Sequence, residues 1–186
     1  MANPSAPDLL VPAPATDAAG YLDRRLGLRL DEEHHRLSNL SAPSQAAMEA
    51  ALGLAGLDLP VGQRLLRADH QLIRLWPAQL WCLGTPPQGL SLAQTDISHG
   101  QAVLRLRGQD ALHFLADHAS ADLRATQIRR AATLRCLIGL YNVTLWWAHT
   151  RDVSLAVERS LAQSLVDHLR ALTRRRNPLR PYIQEE

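Results

Sequence analysis

The sequence predicts an α+β domain in which an antiparallel sheet carries helices packed on one face. Residues 102–106 alternate between two faces as a strand does, and three β-rich runs follow one another over residues 133–157. Leucines then recur at helical spacing after Ser160. Strands that succeed one another through short turns pair antiparallel, and helices with one apolar stripe cover one face of such a sheet.

Composition limits the function classes. The chain has 186 residues, 46% of them hydrophobic, which is enough for a core without disulfides or metal. The formal net charge is only +2, so the total charge indicates neither a nucleic-acid nor a membrane partner. All 20 basic residues are arginine, which suits GC-rich coding and also protein interfaces. The N-terminus lacks a signal pattern, so we expect a cytoplasmic protein.

The composition changes along the chain and predicts four segments. Residues 1–20 are rich in Pro and Ala and are expected to be a disordered or extended tail. Residues 21–44 alternate leucine with charge and are predicted to be an arm that binds a partner. Residues 45–173 are predicted to form the α+β domain. Residues 174–186 begin with three arginines, contain two prolines, and are predicted to be a C-terminal arm.

Within the domain each element has its own signal. A helix is predicted over residues 44–54, because alanines recur at helical spacing and Gly56 is a stop signal. Asp110 is expected in the first turn of a second helix, where the helix dipole favours an acid. Ser160 is expected to cap the last helix. The remaining elements are predicted at residues 79–83 (strand), 86–89 (turn), 102–106 (strand), 109–118 (helix), and 133–140, 143–149 and 153–157 (strands).

Two cysteines, Cys82 and Cys136, lie in apolar runs without a histidine at ligand spacing. In such runs a cysteine behaves as a small hydrophobic side chain, so buried free thiols are favoured. A disulfide and a reactive thiol remain as alternatives.

The most specific stretch combines a turn, a strand and the start of a helix. It contains Asp96, Ser98 and His99, then the strand over residues 102–106, then Gly108 and the helix that follows. This pattern resembles the folate-binding aminomethyltransferase fold of the glycine-cleavage T-protein. Asp96 and Ser98 are expected to bind backbone N–H groups at the entry to the strand, and Gly108 to permit a tight turn.

Size and spacing within that superfamily look most like the γ subunit of heterotetrameric sarcosine oxidase and of related N-methyl amino acid dehydrogenases. The similarity covers residues 52–172 and rests on four short motifs, at residues 80–84, 96–99, 135–139 and 157–160.

The resemblance implies a non-catalytic subunit that binds no cofactor itself. It implies an α-type partner with NAD and a folate-binding region, a β-type flavoprotein partner with FAD, and FMN near their interface. It also implies a small δ-type partner that binds zinc. A stand-alone folate-binding one-carbon-transfer protein is the alternative, and an arginine-rich nucleic-acid binder is a weaker one.

Candidate chemical residues are few. His99 is a general base by residue type, but its motif and that of Asp96 favour a structural turn. His34 and His35 are adjacent and point in different directions, which disfavours a shared metal site. No catalytic, cofactor-binding or metal residue is therefore predicted.

The interface prediction rests on adjacent tryptophans and on the C-terminal arm. Neighbours on a strand face opposite ways, so one tryptophan is expected to face outward as an anchor, unless a local helix or tail covers it. The arginines either complement the dipole of the last helix or pair with acids on a partner. The predicted interface residues are Trp146, Trp147, Arg174, Arg175, Arg176 and Tyr182.

Overall fold

The structure is a computed structural model that describes residues 13–87, 89–125 and 133–175. Its elements in chain order are β1 (Ala19–Asp23), β2 (Leu28–Glu33), β3 (Leu37–Ser41), α1 (Gln45–Leu54), β4 (Gln63–Leu66), β5 (His70–Trp76), β6 (Gln79–Gly84), β7 (Ala93–Asp96), β8 (Gln101–Arg107), α2 (Ala111–Ala116), β9 (Thr133–Ile138), β10 (Tyr141–His149), β11 (Asp152–Glu158), a 3-10 turn (Arg159–Leu161) and α3 (Ala162–Arg175).

The strands form two antiparallel sheets. The six-stranded sheet has the order β1-β2-β8-β11-β10-β9, and the five-stranded sheet has the order β4-β5-β6-β3-β7. The predicted meander is confirmed, because β10 pairs with β9 through Val143 and Cys136 and with β11 through Leu145 and Leu155. The α+β class is confirmed as well, with two sheets where the sequence had predicted one.

The two sheets pack face to face and the helices cover their outer faces. A cluster between the sheets joins Leu37, Ile73 and Trp81 of the five-stranded sheet to Val103 and Trp146 of the six-stranded sheet. A second cluster packs α2 and α3 on the outer face of the six-stranded sheet. A third cluster packs α1 on the outer face of the five-stranded sheet. The result is four layers, in the order helix, sheet, sheet, helix.

Strands in the middle of this stack are buried on both faces. In β8, Val103 faces the other sheet while Leu104 and Leu106 face the helices. In β6, Trp81 and Leu83 face the other sheet, while Leu80 and Cys82 face α1. A strand covered on both sides has a nearly continuous apolar sequence, which explains why the alternation is weak in β6.

Residues 21–44, predicted as a separate arm, are instead part of both sheets. Leu30 on β2 lies opposite Leu106 on β8, and Leu40 on β3 lies opposite Leu80 on β6. The end of the predicted tail is also held, since the Glu32 carboxylate accepts hydrogen bonds from the backbone N–H groups of Ala15 and Thr16. The leucines lie on strands whose partners are distant in the chain, so the local sequence could not show what covers them.

Two helix starts test the capping predictions. The Ser44 side chain accepts a hydrogen bond of 3.2 Å from the backbone N–H of Ala47, so the predicted start of α1 is confirmed. The predicted cap at Ser160 is wrong, because Ser160 lies inside the 3-10 turn that precedes α3. A 3-10 turn at a helix start is a common variation that side-chain spacing does not reveal.

Cys82 and Cys136 are free and buried, as predicted. Burial raises the pKa of each thiol to about 11, because an apolar environment disfavours the thiolate. Neither cysteine therefore has the activated thiolate that a nucleophile or metal ligand requires.

Within the described ranges, we find no helix that is both long enough and apolar enough to cross a membrane.

Gly108, at the end of β8, provides a test of the fold. Its φ is +149°, and a Cβ atom there would lie 2.7 Å from the Gly27 carbonyl oxygen and 2.9 Å from Leu28 Cδ2. We expect Gly108→Ala to lower the free energy of unfolding by about 2 kcal/mol or more, through backbone strain and collision with the β1–β2 turn. Urea denaturation followed by circular dichroism measures this change.

The matched control is Gly53→Ala in α1, where a Cβ atom meets nothing within 4 Å. This substitution should raise the free energy of unfolding by about 0.5–1 kcal/mol, because alanine favours a helix. Equal effects of the two substitutions would contradict the close approach of the β1–β2 turn to Gly108.

Candidate functional site

The turn that follows β7 has a structural role. The Ser98 backbone N–H donates to Asp96 Oδ1 at 2.9 Å, and the Ser98 hydroxyl accepts from the Leu37 backbone N–H at 2.8 Å. The Ser98 bonds also hold the pKa of Asp96 below its usual range. The predicted backbone bonding of Asp96 and Ser98 is confirmed, and it joins the turn to β3, 61 residues away in the chain.

The histidines singled out in the sequence do not form a site together. His99 and His34 are exposed, and His35 Nε2 lies 3.1 Å from Glu33 Oε2. Among residues 13–87, 89–125 and 133–175, no group of three or more His, Cys, Asp or Glu side chains is placed to hold a metal ion.

A charge cluster joins three strands of the six-stranded sheet, β2, β8 and β11. Arg105 on β8 donates to both carboxylate oxygens of Asp152 on β11, at 2.7 and 2.5 Å, and to Glu33 Oε1 on β2 at 2.9 Å. The three strands are neighbours in the six-stranded sheet, which brings together residues 119 positions apart at the extremes. A bidentate guanidinium–carboxylate pair is the strongest form of ion pair.

The side chains of this cluster stabilise one another in their charged forms. The hydrogen bond from His35, followed by that from Arg105, lowers the pKa of Glu33 to about 2. Arg105 also lowers the pKa of Asp152, and the two carboxylates raise the pKa of Arg105. Proton transfer near neutral pH needs a group whose pKa lies close to that pH, so this cluster is suited to stability and not to acid–base catalysis.

A cleft of about 290 Å³ lies beside the cluster, between the sheets. Its lining residues come from both sheets and are Glu33, His35, Arg64, Leu66, Gln71, Leu83, Arg105, Trp146, Trp147, Ala148, Asp152 and Ser154. Burial lowers the pKa of Arg64. The Gln71 side-chain nitrogen is buried and has no hydrogen-bond partner among the described residues.

The tryptophans correct one prediction. Trp146 is only 2% exposed and Trp147 only 5%, so neither faces outward as the anchor that the sequence predicted. Both faces of β10 are covered, one by the second sheet and the other by the helices. Adjacent side chains on a strand do point in opposite directions here, but each direction leads into a core.

A larger groove of about 630 Å³ lies on the outer surface, between the β1–β2 hairpin and α3. Its lining residues are Tyr21, Leu22, Asp23, Arg24, Arg25, Leu26, Arg170, Thr173 and Arg174. We call this the basic groove, because among the described residues four arginines and a single acid, Asp23, line it.

Contacts beside the groove hold α3 against the segment that precedes β1. Arg170 Nη1 donates to both carboxylate oxygens of Asp17, at 2.9 and 3.0 Å, and the Gln163 side chain exchanges two hydrogen bonds with Asp17. These bonds, that from Arg170 first, lower the pKa of Asp17. The basic groove is therefore built from two segments that are distant in the chain, residues 21–26 and residues 170–174.

Of the predicted interface arginines, Arg174 lines the basic groove. The side chain of Arg175, and all of Arg176 and Tyr182, lie outside the described residues, so their interface role stays a prediction. The sequence analysis missed Arg24, Arg25 and Arg170. The signal was present, since an Arg-Arg pair precedes Gly27 and Arg170 lies one helical turn before Arg174.

No protein-family model and no curated protein sequence matches this chain. Nineteen chains in solved structures match its fold. One is a chain of the heterotetrameric sarcosine oxidase from Corynebacterium sp. U-96 in complex with pyrrole 2-carboxylate. That match has a TM-score of 0.65 and 21% sequence identity, and it covers 80% of this chain and 84% of that chain. The likeness shows a shared fold.

The charge cluster makes a testable pH prediction. Glu33 has a pKa of about 2 in the folded protein and 4.5 as its ordinary value, so its stabilising effect is complete above pH 4.5 and is lost as the pH falls towards 2. We expect Glu33→Gln to lower the free energy of unfolding by about 1 kcal/mol at pH 6, after allowance for solvent screening, and by almost nothing at pH 2.

Urea midpoints measured from pH 2 to pH 6 compare the variant with the unmodified protein. Glu158→Gln, at an exposed position at the end of β11, is the control and should not change the pH profile. A Glu33→Gln effect that is the same at both ends of this range would contradict the role of the carboxylate charge.

Proposed function

We propose that this protein is a γ-type, non-catalytic subunit of a heterotetrameric flavin-dependent sarcosine oxidase or of a related N-methyl amino acid dehydrogenase. The observation that carries the proposal is the match to a chain of a heterotetrameric sarcosine oxidase over most of both chains. Because the two covered shares are nearly equal, the matched chain is similar in length to this one. That similarity in size favours a small γ-type subunit over a large, cofactor-bearing one.

The arrangement of charged groups is consistent with a scaffold role. The charged groups of the ion cluster around Arg105 are paired with each other. The basic groove, in contrast, offers arginines on the outer surface, where another chain can reach them. A protein whose free cations face outward and whose inner charges are paired is suited to binding a partner.

The proposed complex has cofactors on its other subunits. An α-type subunit would carry NAD and bind folate, a β-type flavoprotein would carry FAD, and FMN would lie near the interface of these two. A δ-type subunit would bind zinc. This chain would stabilise the large α-type subunit, and the whole assembly would work in the cytoplasm.

Co-expression tests this proposal. We expect the chain, produced with the products of its neighbouring genes, to elute with a flavin-absorbing complex in size-exclusion chromatography. Absorbance at 450 nm, followed together with a tag on this chain, reports the complex. A well-behaved monomer that never elutes with a flavoprotein would show that the proposal is wrong.

The alternative is a stand-alone folate-binding one-carbon-transfer protein, favoured by the turn at Asp96 and Ser98 that the folate-binding fold shares. The cleft between the sheets is about 290 Å³, at the lower end of the range of about 300–1,000 Å³ that is typical for ligand sites. We expect isothermal titration of the isolated chain with tetrahydrofolate to show no binding heat. Saturable binding at micromolar concentration would favour the alternative.

A further inference from the structure

We propose that the basic groove between the β1–β2 hairpin and α3 receives an acidic segment of a partner protein. The proposal rests on the proposed function for the partner's identity, a neighbouring subunit of the complex, and on the groove itself for the partner's chemistry.

Arg24 and Arg25 lie in the turn of the β1–β2 hairpin and are exposed, as is Arg174 on α3. None of these arginines forms an ion pair with another described residue. Asp23, the acid in the lining, accepts hydrogen bonds through Oδ1 from the backbone N–H groups of Arg25 and Leu26. The carboxylate thereby shapes the hairpin turn. The guanidinium groups of the turn are left facing the groove.

Arg170 has a different position in the groove. It binds Asp17 and also lies 3.3 Å from Asp167 Oδ1, so its charge is largely balanced within the chain. These contacts fix the wall that α3 presents to the hairpin. Arg170 is therefore held in place by its ion pairs. Arg24, Arg25 and Arg174 form no ion pair with the described residues and are available to a ligand.

An aromatic side chain adds a second recognition feature. Tyr21 is 59% exposed in the groove, and the Arg24 guanidinium lies 5.4 Å from the centre of its ring. A guanidinium over an aromatic face is attracted to the ring, which restricts its position in the groove. Exposed Tyr and Arg side chains are among those that contribute most at protein interfaces.

The shape and charge of the groove favour an acidic protein segment. Guanidinium groups bind carboxylates through paired hydrogen bonds, and a volume of about 630 Å³ holds several side chains of an extended segment. A nucleic acid fits less well, because its binding relies on many contacts along a continuous phosphate backbone, and the groove offers three available arginines among the described residues. The net charge of the chain is also only +2.

A labelled deca-glutamate peptide probes the groove directly. Fluorescence anisotropy with the full-length chain should show saturable binding that weakens as salt rises from 20 to 150 mM, roughly as screening predicts. Arg25→Glu/Arg174→Glu should weaken peptide binding about tenfold or more, because attraction between the groove and the peptide becomes repulsion at two positions. Circular dichroism shows whether the charge reversal impairs folding. If it does, the milder variant Arg25→Gln/Arg174→Gln takes its place.

The matched control is Arg36→Glu/Arg67→Glu, which makes the same charge change at exposed positions outside the groove, near the end of β2 that is opposite to the β1–β2 turn. It should change peptide affinity less than about twofold, as expected for distant, screened charges. Unchanged affinity in the groove variant, or equal losses in both variants, would overturn the proposal.

Two further outcomes would assign the groove to another occupant and overturn the proposal. One is a single-stranded oligonucleotide that displaces the peptide at lower concentration than unlabelled peptide does. The other is a chain ending at residue 176 that binds the peptide more tightly, which would show that residues 177–186, with Glu185 and Glu186, compete for the groove.

The co-expression experiment separates this proposal from the proposed function. If the unmodified chain and the groove variant enter the flavoprotein complex equally well, the function stands and the groove proposal is wrong. If the unmodified chain binds the peptide through the groove but enters no complex, the groove proposal stands and the proposed function fails. Loss of complex formation in the groove variant alone supports both.

Discussion

Burial of β8 on both faces and along both edges is the constraint on which the rest of the structure depends. Its backbone pairs with β2 and β11, Val103 packs against the second sheet, and Leu104 packs under the helices. The N-terminal hairpin, the C-terminal meander and the five-stranded sheet therefore all contact one strand. Apolar burial of this kind is the largest favourable term in folding, so these segments are stable only together.

The same strand carries Arg105, which joins β2 to β11 across β8 through Glu33 and Asp152. This arginine lies at the open margin between the sheets, where an unpaired charge would be costly and a paired one is stabilising. Its two carboxylate partners hold the cluster in its ionised form. Arg105 and its two carboxylate partners line the cleft between the sheets, so a structural ion network lies where a ligand would enter.

The outer surface has the opposite character. The β1–β2 hairpin and α3 are brought together by Asp17 and Arg170, and between them they leave a groove with available arginines and an exposed tyrosine. The proposed role in assembly rests on this contrast between paired inner charges and available outer charges.

The sequence by itself determined the elements that depend on near neighbours. The Ser44 cap, the β9–β11 meander and the Asp96–Ser98 turn follow from residue type and short spacing. The tertiary structure alone decided the second sheet, the burial of Trp147 and the basic groove. Each depends on contacts between segments far apart in the chain, and local periodicity shows that a face is apolar but not which distant segment covers it.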